Sequence, residues 1–153
     1  MKESPQSKKL EEMLRSSKLA AGGFLGEDAR SVSDIIDNDL AIVSNAGFTK
    51  EQVAARMQEI TNKAIPLLGN WVDIDKTLQA RVDEAKGSMV CPWPHSGRFA
   101  KRVTYIETIK TDQKIHWSDL SIHFIEEHGF FEGKDSNFRI EPQDLIKIIF
   151  QVL

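Results

Sequence analysis

The hydrophobic period of this chain changes near Trp71, and that change limits what it can fold into. Ahead of it, Leu10, Met13 and Leu14, then Ile35, Ile36, Leu40 and Val43, then Val53, Met57, Ile60 and Ala64 recur at the spacing of helices that bury one face. Behind it, W-V-D-I and L-Q-A-R-V-D alternate Leu78, Ala80 and Val82 with polar residues, the period-two pattern of a half-buried strand. Leu78, Val82 and Ala85 also satisfy a helical spacing, so residues 77–85 admit both readings. Val103, Tyr105 and Ile109 alternate with Thr104, Thr108 and Lys110 in a clearer strand. Thr111 to Lys114 then reads as a hairpin loop, with the chain returning through Ile115 and Trp117 on the same face. Phe138 to Ile140 reads as a further short strand. The fold class is therefore α+β: N-terminal helices, then a small, mainly antiparallel sheet with two further helices.

The punctuation agrees with that order. Gly22-Gly23 stops the first helix, Ser31 or Ser33 opens the second, and Asn45-Ala46-Gly47 closes it with Gly47 at the left-handed position after the helix. Thr49 to Gln52 spells T-K-E-Q, a capping box, between Phe48 and Val53 at the positions of a hydrophobic staple. Pro66 ends or kinks the third helix close to Ile65. Pro142 suits the first position of a last helix that is apolar around most of its circumference. Residues 1–6 are expected to fray. Residues 7–153 form a single domain with a helical half over 7–70 and a sheet with two helices over 71–153.

Composition then excludes several classes. A hydrophobic fraction of 41% and a charged fraction of 28% argue against a chain that is disordered throughout. The most apolar run, Leu145 to Leu153, is broken by Lys147 and Gln151 and is too short for a bilayer. No apolar stretch follows M-K-E-S-P-Q-S-K-K, and Cys91 is a lone cysteine, so a soluble protein of the reducing cytoplasm is expected, without a membrane partner. The net charge of −3 disfavours nucleic acid as a partner. The local exception is Arg98, Lys101 and Arg102 near Trp93, which together have the stacking-plus-charge chemistry of single-strand binders.

Chemistry concentrates in two stretches. In H-W-S-D-L-S-I-H-F-I-E-E-H-G-F-F, Ser118 is a good N-cap, Trp117 and Ile122 stand at staple positions, and Gly129 suits the C-terminal left-handed position. A helix is expected from about Asp119 to His128. At about 100° per residue, His128 falls in the arc of Leu120, Phe124 and Ile125, where it faces inward or caps the last carbonyls. On that geometry His123 and His128 lie roughly 140° apart and cannot share one ion from this helix, whereas zincin helices place their histidines four apart. The pair that shares a face is His123 with Glu127, able to hold a divalent metal if His116, His95 or Cys91 joins them.

The second stretch, C-P-W-P-H-S-G-R, gathers Cys91, Trp93, His95, Ser96 and Arg98. A thiol and an imidazole could form a dyad, and Ser-Gly-Arg could cradle an anion. It is neither a P-loop nor C-x-x-C. The alternative is a rigid turn with a buried cysteine and a packed tryptophan. Cys91, Trp93, His95, Arg98 and His116 are thus candidate binding residues, and His123 and Glu127 candidate metal ligands. With no recognisable catalytic motif, the expected function is that of a small binding or interaction domain, with a homo-oligomer as one form. The alternative is a small metal-assisted, hydrolase-like enzyme using the C-terminal His/Glu cluster.

Overall fold

The computed structural model describes residues 4–17, 22–95 and 97–151. It is α+β, with the helices and strands in the expected order. Helix α1 runs Pro5–Arg15, and Ser4 caps it by accepting the N–H of Ser7. It thus starts within the segment expected to fray, of which residues 1–3 lie outside the described residues. Helix α2 runs Val32–Asn45 behind the cap of Ser31, and Gly47 beyond it has φ of 87°. Helix α3 runs Lys50–Ala64 and makes both bonds of the capping box. The Thr49 hydroxyl accepts the Gln52 N–H at 3.1 Å, and the Gln52 side chain accepts the Thr49 N–H at 2.9 Å. Pro66 then sits in a single 3₁₀ turn, Ile65–Leu67, which ends the helical half. No helix among the described residues is long and apolar enough to cross a membrane.

Four antiparallel strands follow in the order β1-β2-β3-β4: Val72–Asp73, Leu78–Val90, Arg98–Thr108 and Lys114–Ser118. Residues 78–85, open to two readings from the sequence, are strand, because Leu78, Ala80 and Val82 all face the core. In β3 the expected faces are exchanged. Thr104 and Ile106 are buried, opposite Trp117 and Ile115 of β4, while Val103 and Tyr105 are half-buried on the other side and Ile109 is exposed. A threonine can face the core here because its hydroxyl has partners. Thr61 on α3 lies 2.6 Å from the Thr104 hydroxyl and accepts the Trp117 indole N–H at 2.9 Å.

β2 and β3 continue past their neighbours as a two-stranded ribbon whose register shifts between Glu84 and Ser88, with Gly87 at φ of 99°. Such a bulge bends a ribbon. The ribbon's tip joins a second apolar cluster, where Cys91 is buried among Leu14, Leu25, Val32, Ile35, Leu120, Phe124 and Phe130. The larger core packs α3 and Pro142–Phe150, helix α5, against the inner face of the sheet.

The short strand expected at Phe138 to Ile140 is not present. Its backbone is used in turns, with Ser136 N–H donating to Gly133 and Arg139 N–H to Ser136. The residues just ahead of it, Gly133 and Lys134, are locked against residues 24–28. Gly133 donates to Phe24 at 2.9 Å, and a Cβ on Gly133 would lie 2.2 Å from the Leu25 carbonyl oxygen. Arg139 is held by the fully buried Asp39 at 2.5 and 3.1 Å.

Candidate metal centre

The helix expected from Asp119 to His128 is present, but its last turn differs from the expectation in a way that decides the site. Helix α4 proper is Asp119–His123, opened by Ser118 and Ser121, each side chain bonding the other residue's backbone N–H. Phe124–His128 is a π turn. Gly129, at φ of 64°, closes it, with Gly129 N–H donating to Ile125 and Phe130 N–H to Phe124. In a π turn the hydrogen bonds run i→i+5, so residues five apart are stacked on one face. His123 and His128, which a regular helix would turn away from each other, are therefore brought together. The sequence-based exclusion of that pair is overturned by the helical form of this one turn.

The other half of the site comes from the ribbon. The loop of residues 91–97 between β2 and β3 contains Pro92 and Pro94, and His95 N–H turns back onto the Trp93 carbonyl at 2.8 Å. Alternate residues thereby project Cys91 and His95 toward α4. Cys91 Sγ lies 3.5 Å from His128 Nε2, and His95 Nε2 lies 3.0 Å from His123 Nε2 and 3.3 Å from His128 Nε2. One ligand atom from each of Cys91, His95, His123 and His128 falls within 4.8 Å of all the others, a group that could hold a metal ion.

The surroundings are aromatic and partly dry. Trp93 stacks on His128 with centroids 4.0 Å apart and planes 8° apart, and Phe99 lies 4.3 Å from the His123 ring. Cys91 is buried, His123 and His128 half-buried, and His95 exposed. Burial pushes the Cys91 thiol up to about 11. Burial also lowers His123 and brings His128 down to about 4, helped in each case by neighbouring imidazoles and, at His128, by Lys50. Both of these rings are held neutral at physiological pH, the form that donates a lone pair to a metal.

Hydrogen bonds can pair these groups two by two, His95 with His123 and Cys91 with His128. A neutral imidazole has one N–H and one lone pair. Nε2 of His95 can pair with one of its two imidazole neighbours, not with both at once. A shared cation could engage the three ring nitrogens and the thiol at once. Comparison with protein-family models, curated proteins and solved structures finds no match.

The remaining sequence-predicted residues lie elsewhere. Glu127 is exposed and outside the ligand group, although its charge favours the protonated form of His123. His116 sits on the far face of the sheet, bonded through Nε2 to the Asn137 carbonyl at 3.0 Å and edge-on to Phe138. Arg98 donates to the Ser88 hydroxyl across the ribbon. Trp93 lines the site without contributing a ligand, and Ser96 lies outside the described residues. His128 is the member that sequence reasoning set aside. Its one signal is a polar ring in the middle of an apolar arc, which the reading of an inward-facing or capping residue absorbs.

Proposed function

We propose that the protein is a metal-binding domain whose centre takes one zinc-like divalent ion through Cys91 Sγ and the imidazoles of His95, His123 and His128. The observation that carries this reading is the spacing of the four donors. A tetrahedral zinc with bonds of about 2.0–2.1 Å to nitrogen and about 2.3 Å to sulfur separates its donors by about 3.3–3.6 Å. Three of the six donor separations, at 3.0, 3.3 and 3.5 Å, are close to those edges, and all six lie within 4.8 Å. One thiolate and three imidazoles suit zinc, cobalt or copper rather than magnesium or calcium, which take oxygen ligands. Four protein donors fill a tetrahedral shell, as structural zinc sites do. This supports a binding domain in which the ion staples the ribbon tip to α4.

The test is metal uptake by protein purified without a histidine tag. One equivalent of zinc per chain is expected, displaced by cobalt with the visible bands of a tetrahedral ion and a thiolate-to-cobalt charge-transfer band. The band should be lost in Cys91→Ser; a band that persists in that variant would place the ion elsewhere. A second reading rests on the exposure of His95. If that ring gives way to water, three protein donors and an open position remain, the arrangement of catalytic zinc. It requires that His95→Ala keep its zinc and hydrolyse an activated ester faster than the zinc-free protein.

A further inference from the structure

A cleft of about 420 Å³ opens between the first turns of α1 and α2, and Trp93 forms one of its walls. Leu10, Ile36 and Trp93 supply its apolar surface, and its charged lining is Glu11, Asp34 and Asp37, with no described lysine or arginine. Glu11 is already engaged, accepting the Val32 N–H at 3.1 Å and lying 3.7 Å from Arg15. Asp34 and Asp37 are exposed, one turn apart on α2, and make no ion pair among the described residues. The volume is that of a site for an organic group, much larger than a bare ion needs.

We propose that this cleft binds an arginine side chain of a peptide partner, and that the metal centre holds the wall on which the guanidinium stacks. An arginine is complementary to each part of the lining. Its planar cation stacks on an indole and forks to carboxylates, and its aliphatic stem covers apolar surface such as that of Leu10 and Ile36. The link to the metal is Trp93 itself. Cys91 and His95, two of the proposed ligands, flank it in the chain, and its ring lies on the imidazole of a third, His128. Phe124 and Phe130 pack against the ring with their planes tilted 62° to it, centroids 5.7 and 5.5 Å away. An ion that fixes Cys91, His95 and His128 fixes the indole too. By linkage, the bound arginine tightens metal binding by the same factor as the metal tightens arginine binding. The coupling rests on the metal reading given above, whereas the ligand class rests on the cleft.

The experiment is calorimetry on the full, untagged chain with acetyl-Ala-Arg-Ala-amide and its uncharged isostere acetyl-Ala-citrulline-Ala-amide. Zinc-loaded protein, chelator-stripped protein and the zinc-loaded Asp34→Asn/Asp37→Asn variant are compared. The arginine peptide is expected to bind loaded protein at least about tenfold tighter than citrulline does, and about tenfold tighter than it binds either stripped protein or the variant. The variant should keep the parent's cobalt spectrum. Equal binding of the two peptides, no binding of either at millimolar concentration, or an undiminished variant overturns the ligand assignment. Equal arginine affinity with and without zinc overturns the coupling. A cobalt spectrum without thiolate overturns the metal reading alone, because the comparison of arginine with citrulline on protein as purified still decides the cleft.

Discussion

Deleting Glu126 should convert the π turn into ordinary helix while keeping every proposed metal ligand. Glu126 is exposed, and apart from its carbonyl, which accepts from Lys50, no hydrogen bond ties it to the rest of the fold among the described residues. On a regular helix, residues five apart point roughly 140° apart, which puts their side chains about 10 Å from each other across the helix. In the π turn His123 and His128 instead approach the same atom, His95 Nε2, at 3.0 and 3.3 Å. Removing one residue leaves the two histidines four apart, roughly 40° around a regular helix, the spacing of H-x-x-x-H metal faces. Metal affinity should then stay within about tenfold of the parent, about 1.4 kcal/mol. Inserting an alanine after Glu126 moves them six apart, roughly 240° around, and should cost at least about a hundredfold. Competitive cobalt titration measures both, with circular dichroism and a thermal melt confirming that each variant is folded. A folded deletion variant that no longer binds cobalt, or an insertion variant that binds it like the parent, would refute the assignment of the π turn as the device that pairs the histidines.

Three further outcomes follow from the same geometry. Gly129→Ala should destabilise the chain by about 2–3 kcal/mol in urea denaturation, since it combines the left-handed penalty with a Cβ placed 2.8 Å from Leu40. Burial pushes the Glu132 carboxyl up to about 8 from its ordinary 4.5, so the folded chain retains a proton that the unfolded chain releases. Stability should therefore be highest below about pH 4.5 for this group and fall as pH rises to about 8, and Glu132→Gln should flatten that slope in melts taken across the range. The Cys91 thiol at about 11, against an ordinary 9.0, makes its thiolate about a hundredfold rarer. Iodoacetamide at pH 8 should thus alkylate the folded, metal-free protein at least about a hundredfold more slowly than the urea-unfolded chain, and zinc binding should release the Cys91 proton, detectable with a pH indicator.

Local chemistry made the helix boundaries legible. Thr49 with Gln52, Ser118, Gly47 and Gly129 each satisfy orphan backbone groups or adopt a left-handed turn, and those needs are written in a few adjacent residues. The strands were legible where burial follows strict alternation, as in Leu78, Ala80 and Val82. Alternation misled in β3, because Thr104 takes its place in the core through a hydroxyl bond to Thr61, forty-three residues away in sequence. Phe138 to Ile140 looked like strand for a similar reason, its backbone being turned by bonds to Ser136 and Phe131 while Arg139 is drawn to the buried Asp39. The candidate site was half legible. Cys91, His95 and His123 stood out by residue type, but their convergence depends on the bend of the ribbon at Gly87, and His128 joins them through one turn of non-α helix. Helical periodicity assumes uniform rotation, and an extra residue within a turn breaks that assumption without leaving a compositional mark.

The most direct measurement of the central claim is cobalt titration of the chelator-stripped, untagged protein, followed by absorption and repeated on Cys91→Ser and His128→Ala. The account predicts saturation at one cobalt per chain with tetrahedral visible bands. The charge-transfer band should be missing in Cys91→Ser, and the affinity of His128→Ala should fall by at least about a hundredfold, more than 2 kcal/mol. A spectrum of an octahedral ion in the parent, or parental affinity and bands in both variants, would contradict it.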